Sequence, residues 1–445
     1  MRNNLIKISF FTLFVVLLAT VSCSSGKKSS DATIRTFTFG ACNAAPDLKL
    51  KKYYIDSIAG TIKNTDSINY TSNITKVFPV MTFKVTPSEI RINDVAWNKT
   101  DSIDATSPFK LTIVAPNGKN IKDYMVTVNK HTVNPDSIVW TKLEHNLPDG
   151  FENAKVFDCY DDFVFVGKKS DKIDVYSSID GKSWSEVVTG LDLVVDPMSG
   201  YVPQGSALED SIYVLGYNYD ALYVFDRSGK AFVKIADFTG YDVEAILGEY
   251  KTEILILAEK DEKPVILSYH DGMLTVKDSS LPPSFPVGGE FSPVMVKYDM
   301  RSSFNVESMF IVGGLLANGS PSEGVHATDN GWYWSNVVKS PAPVYFTEVR
   351  QTAAVFYARY LFTFGGITEI LSPMFLDMQV SYDNGFTWDD AMSYQQLPAG
   401  FSLKYGISAL ADNSDNIYLF GGYDENDRYK IEIYKGRMNS VDFKN

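Results

Sequence analysis

Cysteine, histidine and net positive charge are all scarce in this chain of 445 residues. Its three Cys and four His are too few for the usual His-rich or Cys-rich metal sites, so neither a metal nor another cofactor is expected. Asp and Glu (54) outnumber Lys and Arg (41), which gives a formal net charge of -13. A nucleic-acid partner requires a basic surface, so nucleic acid is not expected as a partner.

The long apolar run of the chain lies at its beginning. Arg2 and Lys7 flank the first part of this segment, and residues 8–21 are otherwise apolar. A short charged region followed by an apolar region of this length is typical of an export signal, and it is short for a membrane span of about 20 residues. We therefore predict a signal peptide over residues 1–22.

The predicted signal peptide leads into the sequence "TVSC", which resembles a bacterial lipobox, although Thr20 stands where Leu is usual. The resemblance implies cleavage before Cys23 and lipidation of that residue, which anchors a protein to a membrane without spanning it. Residues 23–32 then form a flexible tether. The expected location is the outer membrane, on its periplasmic or cell-surface side, and the basic start of the tether favours the periplasmic side. An ordinary signal peptide with an incidental Cys is the alternative.

Aromatic residues, in contrast, are abundant, and the 26 Tyr and 28 Phe favour β-strands. Residues 33–134 alternate apolar and polar residues in short runs, with a hairpin signal at Asn117-Gly118, which predicts a β-sandwich. The run "VFPVMTF…SPFKLTIVAPNGKNIKDYMVTV" resembles Ig-like domains found behind the lipobox in many Bacteroidetes surface lipoproteins. That resemblance implies a spacer or adhesion module. Cys42 and Cys159 fall in different predicted domains, so two unpaired thiols are favoured over a disulfide.

Residues 135–445 repeat at a period of roughly fifty residues, which indicates a solenoid or a propeller. One short apolar strand recurs, and its copies end at Gly167, Gly216, Ala258, Gly314, Gly366 and Gly422. The double glycines of the last three copies resemble those of kelch-type blades. Each copy has an inner strand before it and a hairpin with an outer strand after it, so the expected fold class is all-β: an Ig-like β-sandwich followed by a six-bladed kelch-like β-propeller.

Residues 137–144 resemble an outer strand that stands ahead of the first complete repeat. We predict that this strand completes the sixth blade and closes the ring, which hides the edges that an open sheet would expose. A seven-bladed ring is the alternative, although the sequence contains no recognisable seventh central strand.

Three hairpin turns share the Asp-box pattern of Asp, Gly and Trp at similar offsets. Their Asp and Trp residues are Asp180 with Trp184, Asp329 with Trp334, and Asp383 with Trp388. In each turn the carboxylate is expected to accept backbone N–H groups, the Gly to supply a positive φ, and the Trp to pack onto the blade. Asp-boxes are best known from sialidases, where they lie on outer hairpins away from the central cavity. A structural role is therefore favoured over a direct role in ligand binding.

The candidate binding site lies at the beginning of the inner strands, which line the mouth of a propeller channel on one face. The ligand-binding candidates are Glu244, Glu348, Arg350, Lys404 and Tyr405. Aromatic residues recur beside them, and rings combined with mixed polar groups suit a saccharide. The alternative is that the rings only fill space between blades and that Arg350 pairs with Glu348 or with a neighbouring blade.

No catalytic residue is assigned from the sequence. A sialidase-like site needs an arginine cluster, whereas residues 135–445 contain only six Arg in scattered contexts. A kelch-type copper-radical oxidase needs a Cys–Tyr pair and ligand histidines, which Cys159, His270 and His326 do not provide at suitable positions.

The whole layout resembles an uncharacterised family of Bacteroidetes lipoproteins with an N-terminal Ig-like domain and a C-terminal kelch-like, Asp-box β-propeller, and this resemblance brings no established activity. The preferred interpretation is a non-enzymatic, lipid-anchored envelope protein that binds a glycan or a protein partner. The alternative is a glycan-active enzyme, such as a glycoside hydrolase, a lyase or a sugar epimerase, with its site at the channel mouth. A cluster of Glu348, Arg350 and Tyr405 around one deep pocket would favour the enzyme.

Overall fold

A computed structural model describes residues 27–160, 162–203, 210–277, 281–298, 306–338, 346–368 and 377–440. The predicted signal peptide and Cys23 lie outside the described residues. By its internal contacts the chain divides into two compact units, Met1–Asn134 and Pro135–Asn445. In the part of the chain that the structure describes, no helix has the length and apolar character needed to cross a membrane.

The first unit consists of two β-sheets that share one apolar core. Its strands are β1 (Ile34–Phe39), β2 (Tyr53–Asp56), β3 (Thr61–Asn64), β4 (Pro79–Phe83), β5 (Glu89–Ile92), β6 (Val95–Ala96), β7 (Phe109–Val114) and β8 (Ile121–Thr127). One sheet pairs β1 with β4, and the other has the order β2-β3-β8-β7-β5-β6. Pairing is antiparallel except between β3 and β8. Alternating residues such as Phe37, Phe39 and Leu111 fill the core, as the period of two requires.

The second unit contains six antiparallel sheets in its described residues. The first sheet has β10 (Asn153–Cys159), β11 (Asp162–Lys169), β12 (Lys172–Ser178) and β13 (Ser185–Asp192); the second has β14 (Tyr213–Leu215), β15 (Ala221–Asp226) and β16 (Ala231–Asp237). The third has β17 (Asp242–Tyr250), β18 (Glu253–Lys260), β19 (Lys263–His270) and β20 (Met273–Lys277).

The remaining three sheets follow the same sequential order. The fourth has β21 (Ser292–Tyr298), β22 (Val306–Val312), β23 (Val325–Thr328) and β24 (Ser335–Asn336); the fifth has β25 (Ala353–Tyr357), β26 (Tyr360–Phe364), β27 (Gln379–Ser381) and β28 (Asp389–Asp390). The sixth combines β29 (Ser408–Ala411), β30 (Ile417–Phe420) and β31 (Ile433–Met438) with β9 (Ile138–Lys142) from the beginning of the unit. The residues predicted to form a stray outer strand therefore pair with the last strand of the chain, Ile138 opposite Met438.

Apolar clusters join each sheet to its neighbours in sequence order, and one cluster joins the sixth sheet to the first. That last cluster contains Val156 and Phe165 from the first sheet and Phe420 and Ile433 from the sixth. The first strands of these two sheets are also linked, because Ser408 Oγ accepts the Val156 N–H at 3.0 Å. Burial of these side chains is the main stabilising contribution to the arrangement.

The double glycines allow the chain to pass close to the next sheet. Gly365 has φ 62° and Gly366 has φ 106°, which side chains with a Cβ rarely adopt. A Cβ on Gly365 would also collide with the carbonyl oxygen of Lys404, which accepts the Gly366 N–H at 3.0 Å. Both the backbone conformation and the close approach therefore require glycine at this position.

Candidate functional site

The first strands of the first, third, fourth, fifth and sixth sheets surround a cavity of about 700 Å³, called the axial cavity below. Beside the second sheet, the wall is formed by residues 198–203, which begin in the 3₁₀ turn Pro197–Ser199, and by Tyr219. The wall is formed by apolar and polar groups in similar amounts, and its apolar members include Val156, Phe157, Ile246, Val294, Ala353 and Ile407. Polar and aromatic residues lie among them: Lys155, Asp158, Tyr201, Tyr219, Glu244, Glu290, Gln351, Tyr405 and Tyr423. A cavity of this size and composition is typical of a small-molecule site.

Backbone hydrogen bonds fix the residues that precede the first strands of the fourth, fifth and sixth sheets. The Gln351 N–H donates to the Glu290 carbonyl at 2.8 Å, and the Gly406 N–H donates to the Gln351 carbonyl at 3.0 Å. All three residues have left-handed φ, near 56°, 54° and 60°. Such strained conformations in non-glycine residues persist only where the surroundings hold them, and they concentrate at functional sites.

Arg350 supports the wall of the cavity from behind. Its Nη1 donates to Glu290 Oε2 at 2.7 Å, and Glu290 lines the cavity while Arg350 does not. The Arg350 backbone pairs with Ile367 in both directions, at 3.0 and 2.9 Å, which fixes the position of the guanidinium. Arg350 thus pairs with a residue that precedes the neighbouring sheet, which was the alternative considered from the sequence.

Glu348 and Lys404 do not line the axial cavity, which differs from the expectation. Glu348 is exposed. Lys404 is only 1% exposed, and its Nζ donates to Glu432 Oε2 at 3.0 Å. The same Nζ lies over the rings of Phe401 and Tyr434. Burial lowers the pKa of the Lys404 ammonium, which Glu432 opposes. Because successive residues of an extended chain point to opposite sides, Tyr405 faces the cavity and Lys404 faces the core of the sheet.

Glu244 and Tyr405 line the axial cavity. Burial raises the pKa of the Glu244 carboxyl, and the like charges of Glu259 and Asp242 raise it further. The Tyr405 hydroxyl donates to Asp427 Oδ1, and its ring stacks on Tyr423 with centroids 5.1 Å apart and planes at 19°. Burial raises the pKa of Tyr405, so the phenol stays protonated at neutral pH. Together these residues offer an acceptor and an aromatic face to a ligand.

The sequence interpretation missed Lys155 and the groups around it. Lys155 Nζ donates to the carbonyls of Gly200 at 2.8 Å and Met198 at 3.3 Å. Desolvation by the surrounding protein lowers the pKa of the Lys155 ammonium to about 8. Nearby, Asp196 accepts the Tyr219 hydroxyl at 2.9 Å. The alternation of β10 could have pointed to Lys155, because it places Lys155 on the same side of the strand as Phe157. Lys155 Nζ lies 5.7 Å from the centroid of the Phe157 ring.

The Asp-box of the fifth sheet is a hydrogen-bonded turn on an outer hairpin. Asp383 Oδ1 accepts the Thr387 N–H at 2.8 Å, and the Ser381 hydroxyl accepts the Gly385 N–H at 2.8 Å. Trp388 is 1% exposed, donates its indole N–H to the Gly385 carbonyl at 3.0 Å, and packs on Phe346 with centroids 4.9 Å apart. None of these residues lines the axial cavity.

The first Asp-box has the same polar design with a shorter turn. Asp180 Oδ1 accepts the N–H groups of Lys182 at 2.8 Å and Ser183 at 2.9 Å. The hydrogen bond from the Ser183 N–H makes the largest contribution to lowering the pKa of Asp180, and the bond from the Lys182 N–H lowers it further. Trp184 packs against Phe165 of its own sheet and Phe420 of the sixth sheet, both with centroids 6.1 Å away.

The Asp-box of the fourth sheet differs from the prediction, because Asp329 does not accept the turn N–H groups. Asn330 Oδ1 accepts those of Trp332 and Tyr333, each at 2.9 Å. Asp329 instead accepts the hydroxyl of Ser308 on the neighbouring strand. The side-chain oxygens of Asp and Asn are equivalent for this purpose, so either neighbour can cap the turn. Trp334 is 5% exposed and packs on Phe285 with centroids 5.3 Å apart.

The remaining polar clusters offer little to a metal ion or to redox chemistry. Within the described ranges, no group of three or more His, Cys, Asp or Glu side chains has a geometry that could hold a metal ion. Cys42 is half-buried and Cys159 is buried, and both thiols are free. Burial raises the pKa of Cys159 to about 12, so it is an unreactive thiol at neutral pH.

Comparisons with known proteins identify both parts of the chain. The family model described as the DUF6242 beta propeller domain matches residues 134–445, and the model of the DUF6242 N-terminal domain, a domain of unknown function, matches residues 23–128. Among curated proteins none matches the sequence. Among solved structures, the chain is similar to one titled "Structure of YjhT", with 14% identity and a TM-score of 0.42, over 65% of this chain and 95% of that chain.

Proposed function

The chain belongs to the DUF6242 family, and on that premise we propose that its β-propeller domain binds a saccharide in the axial cavity without catalysing a reaction. The observation that carries the proposal is the composition of the cavity. Tyr201, Tyr219, Tyr405 and Tyr423 surround it together with Glu244 and Gln351. Aromatic rings stack on the apolar face of a sugar, while carboxylate, amide and phenol groups bond its hydroxyls.

The six sheets act as the blades of a six-bladed, kelch-like propeller in this proposal. Two observations support it: an apolar cluster joins the sixth sheet to the first, and β9 supplies the outer strand of the last sheet. Pairing the beginning of the domain with its end is a common way to close such a ring. A rigid ring holds cavity residues from separate sheets in fixed positions, which lowers the entropic cost of binding.

A glycan-active enzyme is the weaker candidate. The cluster that would have favoured it is not formed, because Glu348 is exposed and Arg350 lies behind Glu290. Hydrolysis of a glycosidic bond usually requires two free carboxyl groups that flank the bond. Of the carboxylates in the cavity, Glu290 is held by Arg350.

The test is a glycan array probed with the protein from residue 24 onward, which retains every described residue. The same saccharides are incubated with the protein and examined for hydrolysis, elimination and epimerisation. We expect saturable binding to a restricted set of glycans and recovery of each glycan unchanged. An array without binders would contradict the binding role, and turnover that is lost in Glu244→Gln would establish the enzyme instead.

We also propose that Cys23 carries a lipid that anchors the protein to the outer membrane, on its periplasmic or cell-surface side. The Ig-like first unit, which lies between Cys23 and the propeller in the sequence, then acts as a spacer. Support comes from the lipobox-like sequence and the apolar run before it. Labelling of cells with a fatty-acid analogue is expected to mark the wild-type protein and not Cys23→Ser. Equal labelling, or release of the wild type into the soluble fraction, would contradict the anchor.

A further inference from the structure

Lys155 is the one cation among the described residues that line the axial cavity. We propose that the saccharide bound there is acidic, a uronic acid or a glycan that contains one, and that the Lys155 ammonium binds its carboxylate. This inference rests on the proposed function and deepens it by naming the class of ligand.

Lys155 forms no salt bridge with any of the residues that the structure describes. Two of its N–H groups are directed to neutral backbone carbonyls, those of Gly200 and Met198. Asp196, which interacts electrostatically with Lys155, accepts the Met198 N–H at 3.0 Å and the Tyr219 hydroxyl. A lysine ammonium has three donors, so one donor is available to a ligand.

The surroundings of the ammonium explain why an anion would be favoured there. Lys155 Nζ lies 5.7 Å from the centroid of the Phe157 ring, and burial by the surrounding protein disfavours its charged form. A charged group in such a place is stabilised by an opposite charge far more than it would be in water. The lowered pKa of Lys155 agrees with an ammonium whose charge is incompletely compensated.

The acidic residues of the cavity orient such a ligand. Glu290 is paired with Arg350, whereas Glu244 lies close to the further negative charges of Glu259 and Asp242. A carboxylate placed beside Glu244 would be repelled, so the ligand's carboxylate is directed to Lys155 and its hydroxyls to Glu244. The pairing is specific, since like charges in contact disfavour the reversed orientation.

The titration of Lys155 gives a signature that a neutral ligand would lack. Asp196 interacts electrostatically with Lys155, and the other charged or titratable groups of the cavity wall are Asp158, Tyr160, Tyr201, Tyr219, Glu244, Glu290, Tyr405 and Tyr423. Burial raises the pKa values of Tyr201, Tyr219, Tyr405 and Tyr423, and it raises that of the Glu244 carboxyl. Between pH 7 and pH 9 the protonated fraction of an amine with a pKa of about 8 falls about tenfold, so binding should weaken about tenfold.

The experiment uses defined oligosaccharides of hyaluronan, alginate and polygalacturonic acid, each beside its carboxyl-reduced form, and chitosan oligosaccharides as the cationic probe. Affinities are measured by calorimetry at pH 7 and pH 9 for the wild type, Lys155→Met and Lys155→Arg. We expect at least one uronate to bind the wild type, and its carboxyl-reduced form to bind at least tenfold more weakly. Lys155→Met should lose the same factor in affinity for the uronate, whereas Lys155→Arg should retain the affinity.

The outcomes separate this inference from the proposed function. Binding of neutral or cationic saccharides, or a uronate affinity that neither Lys155→Met nor pH changes, would overturn the acidic-ligand inference and leave saccharide binding standing. Failure of every saccharide on the glycan array would overturn both. Because Lys155→Met could fail to fold, the wild-type comparison of each uronate with its carboxyl-reduced form decides: equal affinities for the two forms contradict the proposal.

Discussion

The tryptophans in the turns that match the Asp-box pattern act as packing residues. Trp388 is buried against Phe346 and ties its indole N–H to the turn, whereas Trp332 on the corresponding hairpin of the fourth sheet is 46% exposed. The motif therefore stabilises a hairpin far from the axial cavity. This assignment moves the question of ligand binding from the outer hairpins to the first strands.

Replacement of Trp388 by Ala should destabilise the propeller by about 3–5 kcal/mol, because it leaves a cavity and an unpaired carbonyl. The control, Trp332→Ala, should cost less than about 1 kcal/mol, since this ring is 46% exposed and its contact among the described residues is a cation–π contact with Lys277. Chemical denaturation measures both changes. Equal effects of the two substitutions would contradict the packing role.

At the level of single residues, sequence reasoning located the cavity but not its full chemistry. Glu244 and Tyr405 were predicted as site residues, and both line the cavity. Lys404 was predicted with them but faces the core, where it pairs with Glu432. Alternation alone does not say which of two adjacent residues points to the axis. Lys155 was missed since a lysine in a strand usually indicates a solvent-exposed position. Its place depends on the carbonyls of Met198 and Gly200, more than forty residues away.

At the level of strands and turns, the glycines after the central strands set the spacing between sheets. The sequence marks these positions by paired glycines, and Gly365 both has a positive φ and lies against the backbone of Lys404. The Asp-box of the fourth sheet could not be predicted in the same detail. Asp329 and Asn330 carry equivalent oxygens, and only the path of the turn decides that Asn330 caps it.

Gly365→Ala should destabilise the propeller more than Gly240→Ala. Both residues have left-handed φ, near 62° and 83°, which costs an alanine about 1–2 kcal/mol. A Cβ at Gly240 meets no atom within 4 Å, whereas one at Gly365 displaces the Lys404 carbonyl and adds about 1–3 kcal/mol of overpacking. Thermal unfolding compares the variants. A smaller loss in Gly365→Ala than in Gly240→Ala would refute the close-approach argument.

At the level of the whole molecule, the architecture depends on one long-range pairing. The recurring central strands predicted how many repeats to expect, because each repeat carries its own apolar pattern. The pairing of β9 with β31 was also predicted, from a stray strand ahead of the first repeat. The ligand could not be predicted from the sequence, because the cavity combines side chains from sheets that are distant in sequence.

A disulfide across the β9–β31 pair tests the closure. Thr141 lies opposite Lys435, so Thr141→Cys with Lys435→Cys should form a disulfide and raise the thermal midpoint under oxidising conditions. Closing so long a loop typically adds about 2–4 kcal/mol. Thr141→Cys alone is the control, and reduction should abolish the gain. Failure of the pair to oxidise would contradict the pairing.

The central claim is that the axial cavity is the binding site, and filling the cavity tests it most directly. Ala245 from the third sheet and Ala409 from the sixth both line the cavity, whereas Ala96 is an exposed residue of the first unit. The measurement is the affinity of the saccharide selected on the array for Ala245→Trp, Ala409→Trp and Ala96→Trp, with thermal unfolding as the check on folding. We predict a loss of at least tenfold in both cavity variants and none in Ala96→Trp. Unchanged binding by the folded cavity variants would contradict the claim.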